Sequence, residues 1–291
     1  MQISLHLGSL LTDEDRVYEC LRANRAALAQ VGIVVPKRKH ARHPLRNAAA
    51  QAPDQPLDAQ MRTDLLARLC DPAQTTRLVL SWDAYLGGAQ AVVRNGQLYP
   101  KAASRLRGYR EMFAGHDLRV HLALRNPATL LAALAGKLGG KKGRALLASV
   151  DVTSLSWRDT VAQMRAACPD VPLTIWCDED TPFIWHTIMQ TVSGHPPDMQ
   201  LDGLHNWYSS VMTDAGVAAM QAWLQSHPPA TEDQRSRIIG AFLDKFHDSG
   251  RTEIDMAGTG WSDDVLDLVT TMYEQDFDAV AQMEGVSVLR A

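Results

Sequence analysis

The sequence is short of paired cysteines, of surplus cations and of long apolar runs, and each shortage removes a class of protein. Four cysteines, Cys20, Cys70, Cys168 and Cys177, are scattered through 291 residues. With no C-x-x-C pair among them, neither a zinc site nor a dithiol redox centre is indicated, and they read as reduced, mostly buried thiols. Lys and Arg number 29 against 33 Asp and Glu, a formal charge of −4. General nucleic-acid binding needs a surplus of cations facing phosphates, so it is not expected. No apolar run approaches the roughly 18 residues needed to span a bilayer, and no basic segment precedes an apolar core at the N-terminus. The expectation is a cytoplasmic protein without membrane contact. No heptad pattern and no internal repeat is visible.

What is present is ordinary globular material, 46% hydrophobic and 21% charged, enough for one large α/β domain or two small ones. The chain opens on the apolar run 3–7, a break at Gly8-Ser9, and then Thr12-Asp13-Glu14-Asp15 ahead of apolar positions at Val17, Leu21, Leu28 and Val31. That is a strand, a tight turn and a helix, with Thr12 as its expected N-cap. Further apolar runs at 78–81, 118–124 and 173–176 read as strands covered on both faces, each followed by a helix start. With no hairpin signal between them, they predict a mainly parallel sheet with helices on both sides.

Between these strands, helices are expected at 57–70, 97–113, 156–167 and 182–192, then at 213–227, 231–247 and 261–283, with a short strand or tail at 285–289. Residues 34–56, with Pro36, Pro44, Pro53 and Pro56, read as a loop. Its cationic run, Lys37 to Arg46, is either a solvated charged face or a receiver for an anionic substrate or partner. The glycine-rich, basic stretch 138–145 reads as a mobile loop able to act as a lid. Asp178-Glu179-Asp180 follows a strand without the spaced ligand set of a metal site, and no metal is expected.

Several of these segments resemble bacterial P-loop sulfotransferases. In that family H-x-G-x-H-K-T-G-T-T leads into a helix ending N-R-x-x-L-x-x-x-G-I-x-x-P; here His6-Leu7-Gly8-Ser9 leads to Asn24-Arg25, Leu28, Gly32-Ile33 and Pro36. The segment Ser81-Trp82-Asp83-Ala84-Tyr85-Leu86-Gly87 is similar to the family's S-D-E-N-L-L-G, and Leu124-Arg125-Asn126-Pro127 to its L-R-x-P element. The pattern of Ser156-Trp157, Leu173-Thr174-x-Trp176 and Glu179-Asp180, and that of Trp261, Tyr273, Asp276 and Gly285-Val286, follow it as well. The resemblance covers about 60% of the chain.

The resemblance implies a single P-loop sulfotransferase-like α/β domain over residues 1–291, with a helical insertion at about 194–258 and a helical C-terminal half. It implies sulfuryl transfer from 3′-phosphoadenosine 5′-phosphosulfate (PAPS), as co-substrate, to a small-molecule or glycan acceptor hydroxyl. Asp83 would be the general base, Arg125 would bind the 3′-phosphate, and Gly8, Ser9 and Thr12 would form the phosphate turn. The departures fall on the ligand positions. Leu11 stands where the family has lysine, Asp13 where it has glycine, Glu14-Asp15 where it has hydroxyls, and Ala133 where a serine follows the arginine. The turn therefore offers three carboxylates in place of a cation, a glycine and hydroxyls. Two readings stay open: a sulfotransferase of weakened activity, with Lys141 or Lys142 replacing the lost lysine, or a non-catalytic binding protein using the old cleft or the basic 37–46 loop. By local chemistry Asp83 serves equally as a helix cap, and Arg125 is expected to pair with Asp13 or Asp15 once nucleotide is absent.

Overall fold

The computed structural model describes residues 1–52 and 57–291. The chain runs β1 (Gln2–Gly8), α1 (Arg16–Ala23), α2 (Arg25–Gln30), β2 (Ile33–Val34), α3 (Arg38–Gln51), α4 (Ala59–Ala67), β3 (Arg77–Ser81), β4 (Val93–Arg94), β5 (Gln97–Leu98) and α5 (Ala102–Met112). It continues through β6 (Asp117–Leu124), α6 (Pro127–Leu138), α7 (Gly140–Ala148), α8 (Trp157–Ala167), β7 (Leu173–Cys177) and α9 (Thr181–Ser193). The remainder is α10 (Asp214–Ser226), α11 (Glu232–Phe246), α12 (Ser249–Thr252), α13 (Asp263–Ala281) and β8 (Val286–Val288).

Six strands form one sheet in the order β2-β3-β1-β6-β7-β8, and every neighbouring pair is parallel. The four apolar runs read from the sequence all lie in it. β1 is central, with Ile3 opposite Leu78 on one side and Leu118 on the other. Its side chains alternate between faces. Ile3, Leu5 and Leu7 join the core covered by α3, α5, α6, α8 and α13. The opposite face carries Val79, Ala123 and Trp176 under α1, α9, α10 and α11.

That second face also buries a polar row. Ser4 Oγ lies 3.0 Å from His121 Nε2 and donates to the Val192 carbonyl at 2.6 Å, while His6 Nδ1 lies 2.9 Å from Ser81 Oγ. Burial pushes His6 down to about 4 and His121 down to about 3, so both imidazoles are neutral near pH 7.

Side-chain caps set several helix starts: Asn126 accepts from the Ala128 N–H, Ser156 from Asp159, Thr213 from Gly216 and Thr231 from Gln234. Thr12 is not among them. The first helix starts at Arg16, after Asp15 in the left-handed region (φ 73°). The Thr12 hydroxyl is spent on the Ser9 carbonyl at 2.6 Å, and Asp13 Oδ2 takes the Val17 N–H at 3.1 Å.

Three other expectations are corrected. Residues 38–51 are helix α3, not loop. Ala41, Leu45 and Ala49 recur at helical spacing and are buried, and this packing outweighs the cost of Pro44 inside the helix. The Pro53–Pro56 end of that stretch lies outside the described residues. Residues 140–148 are helix α7, not a mobile lid. A Cβ at Gly143 would sit 2.3 Å from the Ala135 carbonyl oxygen, so the glycine serves a close crossing of α7 on α6. Finally, β4 and β5 make a two-residue hairpin where a helix start was expected. Asn95 and Gly96 both take positive φ, 53° and 70°, as a type I′ turn requires.

Candidate functional site

The helix after β1 covers one face of the sheet, whereas those after its neighbours β3 and β6 cover the other. A crevice therefore opens at the carboxyl ends of the central strands, the usual ligand position in open α/β sheets. A cleft of about 1110 Å³ lies there. Leu11 and Thr12 come to it from the turn after β1, Arg125 from the end of β6, and Asp178 and Glu179 from the end of β7. Its outer wall is made by α6 and α7 and by residues 251–258.

In a phosphate cradle the main-chain N–H groups of the β1 turn point at the ligand. Here they are bonded inside the protein. Leu10 donates to the Tyr99 hydroxyl at 2.9 Å, Leu11 to Asp83 Oδ2 at 3.2 Å, and Thr12 to the Ser9 carbonyl at 3.3 Å. Gly8 is needed for the same closure: at φ 77°, a Cβ on it would lie 2.5 Å from the Asp83 Cα. The end of β3 thus presses directly against the turn.

Asp13 and Asp83 are buried carboxylates. Burial lifts each to about 6, and for Asp83 the neighbouring Asp13 charge is the next contribution upward. Asp13 Oδ1 has no hydrogen-bond partner among the described residues. Asp15, whose charge also raises both, is paired with cations of α3. Arg42 holds it with two donors at 2.5 and 3.0 Å, and Arg38 adds a contact at 3.1 Å.

Arg125 faces the cleft, but its acid is not one of those expected. Its Nε lies 3.8 Å from Asp178 Oδ2 and donates to the Thr129 hydroxyl at 3.3 Å, while Nη1 donates to the Leu11 carbonyl at 2.5 Å. Asp178 is pushed up to about 7 by burial, with Arg125 pulling the other way. Glu179 is bound beside it, accepting the Asn126 N–H at 2.9 Å and lying 2.9 Å from the Tyr273 hydroxyl.

Of the residues named from sequence, Thr12 and Arg125 line the cleft, while Gly8, Ser9 and Asp83 lie behind its wall. Ser9 is 0% exposed and its hydroxyl lacks a partner among the described residues. Lys141 and Lys142 sit exposed on α7 and do not line the cleft; Lys137 and Arg144 do. Among the described residues, neither Lys137 nor Arg144 has a carboxylate within ion-pair distance. No sequence signal pointed to them, because they stand on two separate helices and the close crossing of α7 on α6 at Gly143 decides where both helices stand relative to the cleft. No group of three or more His, Cys, Asp or Glu side chains among the described residues is arranged to hold a metal ion, and no described helix is long and apolar enough to cross a membrane. Comparison with models of protein families, with characterised proteins and with solved structures finds no match to this chain.

Proposed function

We propose that the chain is a sulfotransferase-like α/β protein that no longer grips the 5′-phosphosulfate of PAPS and uses its strand-end cleft to bind a small anionic molecule. The observation that carries this reading is the Asp83 carboxylate bonded to the Leu11 N–H, an internal anion where a ligand phosphate would sit. A second buried acid, Asp13, stands close enough to raise the Asp83 carboxyl, and a phosphate dianion entering there would meet like charge in a poorly solvated place. The cations of the cleft that have no ion pair among the described residues, Lys137 and Arg144, stand on α6 and α7, which form its outer wall. An anion is accordingly recognised at the outer part of the cleft.

The test is calorimetric titration of the full chain with 3′-phosphoadenosine 5′-phosphate at pH 7.5. No binding tighter than about 10 μM is expected. Tighter binding overturns the reading.

One observation favours a second reading, sulfuryl transfer with Asp83 as base. A carboxylate lifted to about 6 is ionised yet more basic than usual at neutral pH, as a general base should be. Such transfer requires the turn after β1 to open, because Asp83 lies behind the cleft wall; the acceptor oxygen then attacks sulfur, Asp83 takes its proton, and the sulfur–oxygen bond to the departing 3′-phosphoadenosine 5′-phosphate breaks. Release of 3′-phosphoadenosine 5′-phosphate from PAPS, abolished by Asp83→Asn, would establish it.

A further inference from the structure

A second cavity, of about 590 Å³, opens on the far side of the α6 end, bounded by Leu138, whose chain neighbours Lys137 and Gly139 line the main cleft. Four cations line it, Arg46 from α3, Arg94 from β4, Lys101 just before α5, and Arg105 from α5; no Asp or Glu does. Asn47 and Gln90 add neutral donors. In a chain of net charge −4, four like charges around one hollow are a segregation that opposes folding.

Two of the four cations, Arg46 and Arg105, are held in place. The Arg46 guanidinium lies 4.7 Å over the Trp82 ring, with Nη2 3.2 Å from His43 Nδ1. Its Nη1 stands 4.0 Å from where a Cβ of Gly88 would be, so the missing side chain leaves the guanidinium a face into the cavity. Arg105 is partly buried and donates to the Arg46 carbonyl at 2.7 Å. Burial, and secondarily the Arg46 charge, lower its affinity for its proton. Among the described residues, none of the four forms an ion pair. The arrangement stores repulsion that an oxyanion would relieve, and its guanidiniums suit the bidentate contacts of a tetrahedral oxyanion. The volume falls in the range of small-molecule sites.

We infer that this cavity binds the phosphate or sulfate monoester group of a small molecule. The site stands apart from the main cleft and does not depend on the function proposed for it. Glucose 6-phosphate and glucose 6-sulfate distinguish the two oxyanions, with glucose as the uncharged control, each titrated by calorimetry into the full chain at low salt. At least one ester is expected to bind with a dissociation constant of about 1 mM or tighter, and glucose not at all. The double variant Arg94→Gln/Lys101→Gln, changed only at exposed positions, is expected to weaken that binding at least tenfold, while Arg144→Gln in the main cleft leaves it within about twofold. Failure of both esters to bind at 10 mM, or a loss in Arg144→Gln equal to or greater than that in the double variant, overturns the inference.

Discussion

The carboxylate of Asp83 accepts the main-chain N–H of Leu11 at 3.2 Å, so a side chain from the end of β3 closes the turn that follows β1. Leu11 itself lies in the left-handed region (φ 68°), and on its other side its carbonyl receives Arg125. One residue of the turn is thereby fixed from both neighbouring strands.

The first prediction concerns the charge on Asp83. Its carboxyl is lifted by burial from 3.8 to about 6, so the folded state holds a proton that the unfolded chain releases between those values. Stability from this group is present at low pH and lost as pH rises through about 6. Asn keeps an acceptor for Leu11 and carries no charge. Asp83→Asn should be nearly neutral near pH 4 and more stable than the parent by about 2–3 kcal/mol at pH 7.5, as read from urea midpoints. Equal destabilisation at both pH values would show that the carboxylate is not under this strain.

Arg125 joins the turn to β7. Arg125→Ala removes the donor to Leu11 and the cation beside Asp178, and is expected to cost about 2–4 kcal/mol at pH 8. Asp178 is protonated below about 7, so the loss should shrink at pH 5.5, where no carboxylate charge is left unpaired. A cost independent of pH would mean that the Asp178 pairing contributes nothing.

On α3 the cations differ in role although they are close in sequence. Arg42 is 8% exposed, holds Asp15, and lies 4.8 Å over Tyr18 and 5.5 Å over Trp82. Lys39 is exposed. Arg42→Ala should cost about 2–4 kcal/mol and Lys39→Ala less than about 0.5 in thermal or urea denaturation. Similar small effects for both would contradict a packed α3.

Two glycines within helices should respond in opposite directions. A Cβ at Gly108 would lie 2.0 Å from the Ala49 carbonyl oxygen, where α5 crosses α3, whereas one at Gly136 meets nothing within 4 Å. Gly108→Ala is expected to destabilise by about 1–3 kcal/mol, and Gly136→Ala to stabilise by about 0.5–1 kcal/mol. Denaturation midpoints moving the same way in both would exclude the close α3–α5 crossing.

The parallel sheet was legible because residues 3–7, 78–81, 118–124 and 173–176 are short, mainly apolar runs each followed by a helix start, and burial of both faces is the condition of parallel strands; the polar row of Ser4, His6, Ser81 and His121 on one face did not obscure it. Helices with a clear cap and period, those beginning near Ser156, Thr213 and Thr231, were legible for the same local reason. The Asn95-Gly96 pair is a type I′ hairpin signal that the sequence reading passed over, because the adjoining strands have only two residues each and carry almost no pattern.

Local sequence by itself determined the four apolar strands of the sheet, most helix starts and the need for a tight turn at Gly8, because propensity, period and glycine's freedom act over a few residues. Only the tertiary structure decided what the charged side chains do. Asp15 goes to Arg42 across 27 positions, Asp83 to Leu11 across 72, and Arg125 reaches back 114 residues to Leu11. Likewise α3 forms despite Pro44 because α5 covers its apolar face, and 140–148 is helical because Gly143 can rest on Ala135. Electrostatic partners are chosen by distance in space, and burial sets the strength of each charge; neither quantity is carried by residue order.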